Sequence, residues 1–264
     1  MGMTLQVVLA LAMVVGLLAA PAQAHAQQVK FASIWEVPAD NAALDEWYRR
    51  THSREAKQSV GHLLVRYVAY RGYDVPAEAE KFNFIRYRLT EMWYGSAADR
   101  AEANKSWQPL SPPPVDRVNY PNKNQITQIW VPTVPDEQWV PAYPRAQATY
   151  LRWVFFMRYP AGVSQADGEA WFTKVHAPEM AKGPGVRRFV CHKSVDAPRD
   201  AKSYVRMCEV WFDDYAAWKN FALTNPPKYT APAWAKGGAD LEYASIFTAQ
   251  NPDMDFLNDG YRLP

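Results

Sequence analysis

Past a strongly apolar N-terminus, the chain switches between two rhythms. "KFASIWEV" (30–37) and "LRWVFFMRY" (151–159) are short runs rich in apolar, β-branched and aromatic residues, the composition of strands. Asp40 and Ser164 then stand where helix N-caps belong, Ser164 with an acid, Asp167, three residues on. Apolar positions return at helical spacing through Leu44, Trp47 and Tyr48, and more loosely through Ala170, Phe172, Val175 and Met180. Gly61 and Gly185 close these helical stretches, and each is followed by a predicted hairpin. "SAADRAEANKSW" (96–107) and "DDYAAWKNFAL" (213–223) read as second helices, "NQITQIWV" (124–131) and "LEYASIFTA" (241–249) as last strands.

The two series match residue by residue. Trp47, Tyr48, His52 and Gly61 align with Trp171, Phe172, His176 and Gly185 at an offset of 124. "RLTEMWY" (88–94) aligns with "RMCEVWF" (206–212) at an offset of 118, pairing Arg88 with Arg206, Glu91 with Glu209, Trp93 with Trp211 and Tyr94 with Phe212. The first half therefore carries six extra residues between the blocks, an insertion that belongs in a loop. The order β-α-β-β-α-β, twice, is that of the ferredoxin-like unit. One such unit covers one face of its sheet with helices and leaves the other bare. The expectation is an α+β chain of two tandem units whose sheets face each other as a pseudo-dimeric α/β barrel around a hollow. The units are set at 27–131 and 151–248, joined by a Pro-rich connection (132–150). A tail (249–264) is placed across the barrel mouth.

Residues 1–26 read as a secretory signal. Val7 to Ala20 is an unbroken apolar run of fourteen, short for a bilayer span, and "AQA" and "AHA" offer cleavage sites, although no Lys or Arg precedes the run. The chain is expected to be periplasmic or secreted, with no membrane contact once the signal is gone. Charges are mixed to a net +2 without a basic run, which argues against nucleic acid as partner. Eleven Trp, fifteen Tyr and eleven Phe are many for this length, and the rings either make an aromatic-rich core or line a pocket for a small aromatic or hydrophobic molecule. Composition leaves the oligomeric state open.

"W[YF]…H.P……G…R[YF]" followed by "E.W[YF]" resembles the EthD-like group of the dimeric α/β-barrel superfamily. The second half is the closer, keeping His176, Pro178, Gly185 and Arg188–Phe189. The first half has lost the proline, and its Arg–aromatic step comes at Arg66–Tyr67. The resemblance implies a small, often aromatic guest and a wide range of chemistries, from polyketide cyclases and cofactor-free monooxygenases to haem proteins. A cofactor-free isomerase or lyase is the leading expectation, a non-catalytic binder or a haem protein the alternative.

The candidate catalytic residues are His176 and His52, Glu209 and Glu91, and His192 and Arg188. Histidine titrates near neutrality and can move a proton, and a Glu two residues before a Trp in a strand shares that indole's face. Whether that face is the interior is open at this level. Trp171, Phe172, Trp211, Trp93, Tyr48 and Tyr87 are the expected pocket walls. With the second hairpin turning between Arg199 and Asp200, His192 faces Met207 and Cys191 faces Cys208. An exported chain would then carry a Cys191–Cys208 disulfide, two buried thiols being the alternative. No H-E-x-x-H or C-x-x-C suggests a metal, and haem would require an axial His176 or His192.

Overall fold

The computed structural model describes residues 27–35, 42–85, 87–108, 110–114, 126–141, 149–200, 202–235 and 240–258. The predicted signal and the Asp40 cap lie outside them. In the first half β1 (Val29–Trp35) leads to α1 (Ala42–Trp47), a π-helical turn (Tyr48–His52) and α2 (Ser53–Val60). β2 (Leu64–Arg71), β3 (Arg88–Tyr94), α3 (Ala97–Ser106) and β4 (Ile126–Pro132) follow. After β5 (Glu137–Val140) the second half runs β6 (Leu151–Arg158), α4 (Gln165–Trp171), a π-helical turn (Phe172–His176) and α5 (Ala177–Ala181). It continues through β7 (Arg188–Lys193), β8 (Arg206–Phe212), α6 (Tyr215–Lys219) and β9 (Glu242–Ala249), and the tail adds β10 (Met254–Asp255). The Ser164 hydroxyl accepts a hydrogen bond from Asp167 N at 3.1 Å and caps α4.

Two antiparallel sheets result, ordered β10-β2-β3-β1-β4 and β5-β7-β8-β6-β9. Without β10 and β5, the edge strands lent by the other half's trailing segment, both have the ferredoxin-like order. Two buried arginines fasten these loans. Arg88 bonds Asp45 of α1 at 3.0 Å and Asp253 before β10 at 3.1 Å. Arg206 bonds Glu169 of α4 at 2.7 Å and also Glu137 at the start of β5. The described part of the tail thus adds a sheet edge through β10, whereas the sequence placed the tail over a barrel mouth.

The sheets face each other but do not close into a barrel. At the seams only irregular segments meet strand edges: Ile85 N donates to Ser245 O of β9 at 2.7 Å, and Val195 N to Trp130 O of β4 at 2.9 Å. No strand-to-strand ladder joins the two sheets among the described residues. Nor do the described residues leave the expected hollow between them. Ala32, Ile34, Val68, Leu89 and Ile129 of the first sheet interlock with Val154, Phe156, Met207 and Ile246 of the second in one buried cluster.

The inserted segment of the first half is more than a loop. Its 3-10 turn (Ala77–Phe82) and Phe84 pack into the second half's core, where Phe84 stacks on Phe247 at 4.0 Å and Phe82 meets Trp153 at 5.2 Å.

Candidate functional site

The hollow lies on the other side of the first sheet. A cavity of about 580 Å³ sits between that sheet's helix-facing side, the α1 region, α3, Trp107 and the stretch 110–113. Strand alternation explains its walls: Phe31, Ser33 and Trp35 of β1 and Thr90, Met92 and Tyr94 of β3 point outward, their neighbours toward the other sheet. Trp47, His52 and Trp107 close it from the helix side, and the described lining holds no Lys, Arg, Asp or Glu.

His52 reaches the cavity because the helix widens there. Ser53 N bonds Tyr48 O, an i→i−5 step, which brings Trp47 and His52 together with ring centroids 4.9 Å apart. Trp35 and Tyr48 lie at 5.1 and 5.2 Å from the same imidazole. Loss of water lowers His52 from 6.5 to about 4, partly offset by Glu55, so the ring is neutral across the physiological range. Its Nδ1 is buried and has no hydrogen-bond partner among the described residues, and neither has Trp47 Nε1. Hydroxyls stand at the floor: Tyr67 and Thr90 line it, and the Tyr48 hydroxyl lies 2.5 Å from Thr90 Oγ1. The Arg88 guanidinium lies over the Tyr48 ring at 5.0 Å. Tyr87 is not in this wall and bonds Asp45 at 3.2 Å.

The corresponding layer of the second half is filled. The same π-helical step sets Trp171 on His176 at 4.6 Å, but Tyr229 covers the imidazole at 4.7 Å, nearly parallel. Trp171 Nε1 donates to Thr230 O at 3.0 Å, and Trp234 packs on Trp171. Phe172 is wholly buried against Trp139. Burial lowers His176 to about 4 as well.

Glu91 and Glu209 lie on the opposite sheet faces from these histidines, so neither can exchange a proton with His52 or His176 directly. They meet between the sheets. Lys30 Nζ bonds Glu91 at 2.8 Å and lies 3.8 Å from Glu209, while Arg152 reaches Glu209 at 3.1 Å and lies 3.8 Å from Glu91. Burial alone would raise the Glu209 carboxyl, but Arg152 and Lys30 outweigh it and hold it well below the usual carboxylate range. Trp211 Nε1 donates to Glu209 at 3.2 Å, and Arg188 and Arg66 cover Trp211 and Trp93, each at 4.8 Å. His192 faces Met207, its Nδ1 lies 2.9 Å from Pro132 O, and burial and Lys30 lower it to about 4. These acids are saturated by cations and have the surroundings of a buried ionic lock. Cys191 and Cys208 are directly opposed and joined by a disulfide, with Cα atoms 4.1 Å apart.

Sequence reasoning missed Lys30 and Arg152, although each is a lone cation early in an apolar strand and they align with one another. It also missed Tyr67, Thr90, Trp107 and the stretch 110–113, whose placement only packing decides.

Of the two axial ligands the sequence offers for haem, His176 lies between the rings of Trp171 and Tyr229, and His192 lies between the sheets with its Nδ1 2.9 Å from Pro132 O.

No family model matches the chain, and no curated protein does. Among solved structures, an anthrone oxidase-like protein is 9% identical over 84% of this chain and 91% of its own, with a TM-score of 0.48. A variant of chlorite dismutase from Candidatus Nitrospira defluvii is 8% identical over 86% of this chain and 92% of its own, with a TM-score of 0.43. The α+β arrangement of two antiparallel sheets is read from the chain's own strands. At such identities and scores the likeness carries no argument about activity.

Proposed function

We propose that the chain is an exported binding protein for a small, neutral, flat aromatic compound, held in the first-half cavity. The carrying observation is that cavity: about 580 Å³, walled by aromatic rings and without a charged side chain among its described lining. The paired elements of the two halves support descent from two EthD-like copies, and the buried disulfide suits an oxidising compartment. Titration with the neutral probe N-phenyl-1-naphthylamine is expected to show one saturable site with enhanced probe fluorescence. Met92→Trp, which fills the cavity floor, should abolish it. Undiminished binding in that variant places the ligand elsewhere.

His52 favours a second reading, isomerase-type proton transfer on the same ligand. It is an uncharged imidazole with a ring nitrogen unengaged among the described residues, near hydroxyls that could hold an oxyanion. Its low basicity makes it a weak base, which is why binding stands first. The test is solvent deuterium exchange at the α-carbon of 2-tetralone, followed by NMR. His52 would take the carbon-bound proton, leaving an enolate on the ketone oxygen, and a solvent deuteron would return to carbon. Exchange no faster than in His52→Gln would remove this reading.

A further inference from the structure

The filled half describes what the open half lacks. Thr230 N bonds Glu179 at 2.7 Å, and Ser111 N bonds Glu55 at 2.8 Å in the same relation. Glu55 and Glu179 stand at the 124-residue offset of the histidines. The chain before each contact is therefore equivalent, and Leu110 stands where Tyr229 does. Two contacts of the second half then have no counterpart in the first. The ring of Tyr229 lies parallel on His176 at 4.7 Å, whereas Leu110 brings no ring to His52. Thr230 O accepts from Trp171 Nε1 at 3.0 Å, whereas the Nε1 of Trp47, a residue of the cavity wall, is buried with no acceptor among the described residues.

We infer that the ligand of the first cavity replaces both: a planar aromatic ring stacked on His52, carrying an oxygen acceptor, as in an aryl ketone or quinone, that takes the Trp47 indole N–H. The inference rests on the cavity being the binding site and adds the ligand's class and orientation. A buried donor without a partner is costly, so a ligand that satisfies it gains over an isostere that cannot. Tyr229 and Thr230 show that ring and acceptor can be supplied together in this architecture.

The test compares 9-fluorenone with fluorene, the same flat frame with and without the carbonyl, by equilibrium dialysis. The native protein is expected to bind fluorenone roughly five- to tenfold more tightly, the effect of one hydrogen bond to an orphaned donor. Trp47→Phe should bring the two affinities together. Leu110→Tyr, which restores the ring found in the second half, should weaken both by more than tenfold while the circular dichroism spectrum is kept. Equal native affinities, a preference that survives Trp47→Phe, or unchanged binding in Leu110→Tyr would each overturn the inference, with aromatic binding itself intact. If neither compound binds, the cavity reading falls and this one with it.

Discussion

The two halves share strand order, histidine turns and buried arginines, yet one encloses a hollow and the other a solid core. Three differences account for this. Trp218 of α6 packs on Phe247 at 4.9 Å, while Arg100, at the same place in α3, lies over Trp130 at 4.3 Å and turns its charge to Asp196. The first half sends Phe82 and Phe84 into the second half's outer core, while the shorter segment after β7 sends no ring into the first half's outer cluster among the described residues, its Tyr204 packing between the sheets instead. Leu110 replaces Tyr229. A fold can thus keep its frame in both halves, since sheet pairing and ionic fastenings repeat, while one layer is thinned into a binding site.

The largest expected effect tests the solid half. Trp218→Ala should cost about 3–5 kcal/mol in urea unfolding, as for a large ring deleted from a packed core. Arg100→Ala should cost about 1 kcal/mol or less, its ion pair being partly exposed. Similar costs would mean that the layers are equally packed.

The disulfide ties only the second half. Its 17-residue separation predicts a loss of about 3 kcal/mol in the Cys191→Ala, Cys208→Ala double variant, with unchanged probe binding in the first-half cavity. Loss of binding at full folding would show that the halves are coupled.

The histidines should behave alike despite their different surroundings. His52 and His176 both fall from 6.5 to about 4 on folding. The unfolded chain therefore binds the extra protons, and this contribution to stability is complete above about pH 6.5 and lost as pH falls toward 4. Each accounts for about 2–3 kcal/mol over that window. His52→Gln and His176→Gln should flatten the pH dependence of unfolding equally, and an unequal effect would show that the cavity hydrates His52. Glu209 removes further stability as pH falls below the unfolded carboxyl's 4.5, because the unfolded chain then takes up a proton that the folded carboxylate, held by Arg152 and Lys30, does not.

The smallest effect separates the two glycines that the alignment equates. Gly185 has φ +78 in the turn that follows α5, whereas the Gly61 cap has φ −58. Gly185→Ala should cost about 1–2 kcal/mol, and Gly61→Ala should be neutral or stabilising by about 0.5 kcal/mol, read from thermal unfolding. Equal signs would make the turns equivalent.

Period-two and helical patterning, the Ser164 cap and the Trp–His spacing were legible in the chain, because local sterics and alternation fix them. Opposition of Cys191 and Cys208 followed from a turn position alone. The face carrying Glu91 and Glu209 was not legible, because one residue of register exchanges interior for exterior. The emphasis on the second half also came from sequence: it keeps the fuller motif, and its occlusion by Tyr229 and Trp234 is invisible until the chain folds back.

By itself the sequence determined the elements, their twofold recurrence and the aromatic richness, since these rest on near-neighbour preferences and side-chain chemistry. Only the tertiary structure decided that the sheets pack solid around a lock of two acids and two cations. It alone decided that the hollow lies behind the first sheet beside His52. Cavities and buried ion pairs depend on which distant segments fill or leave the space between layers, and no local pattern encodes that.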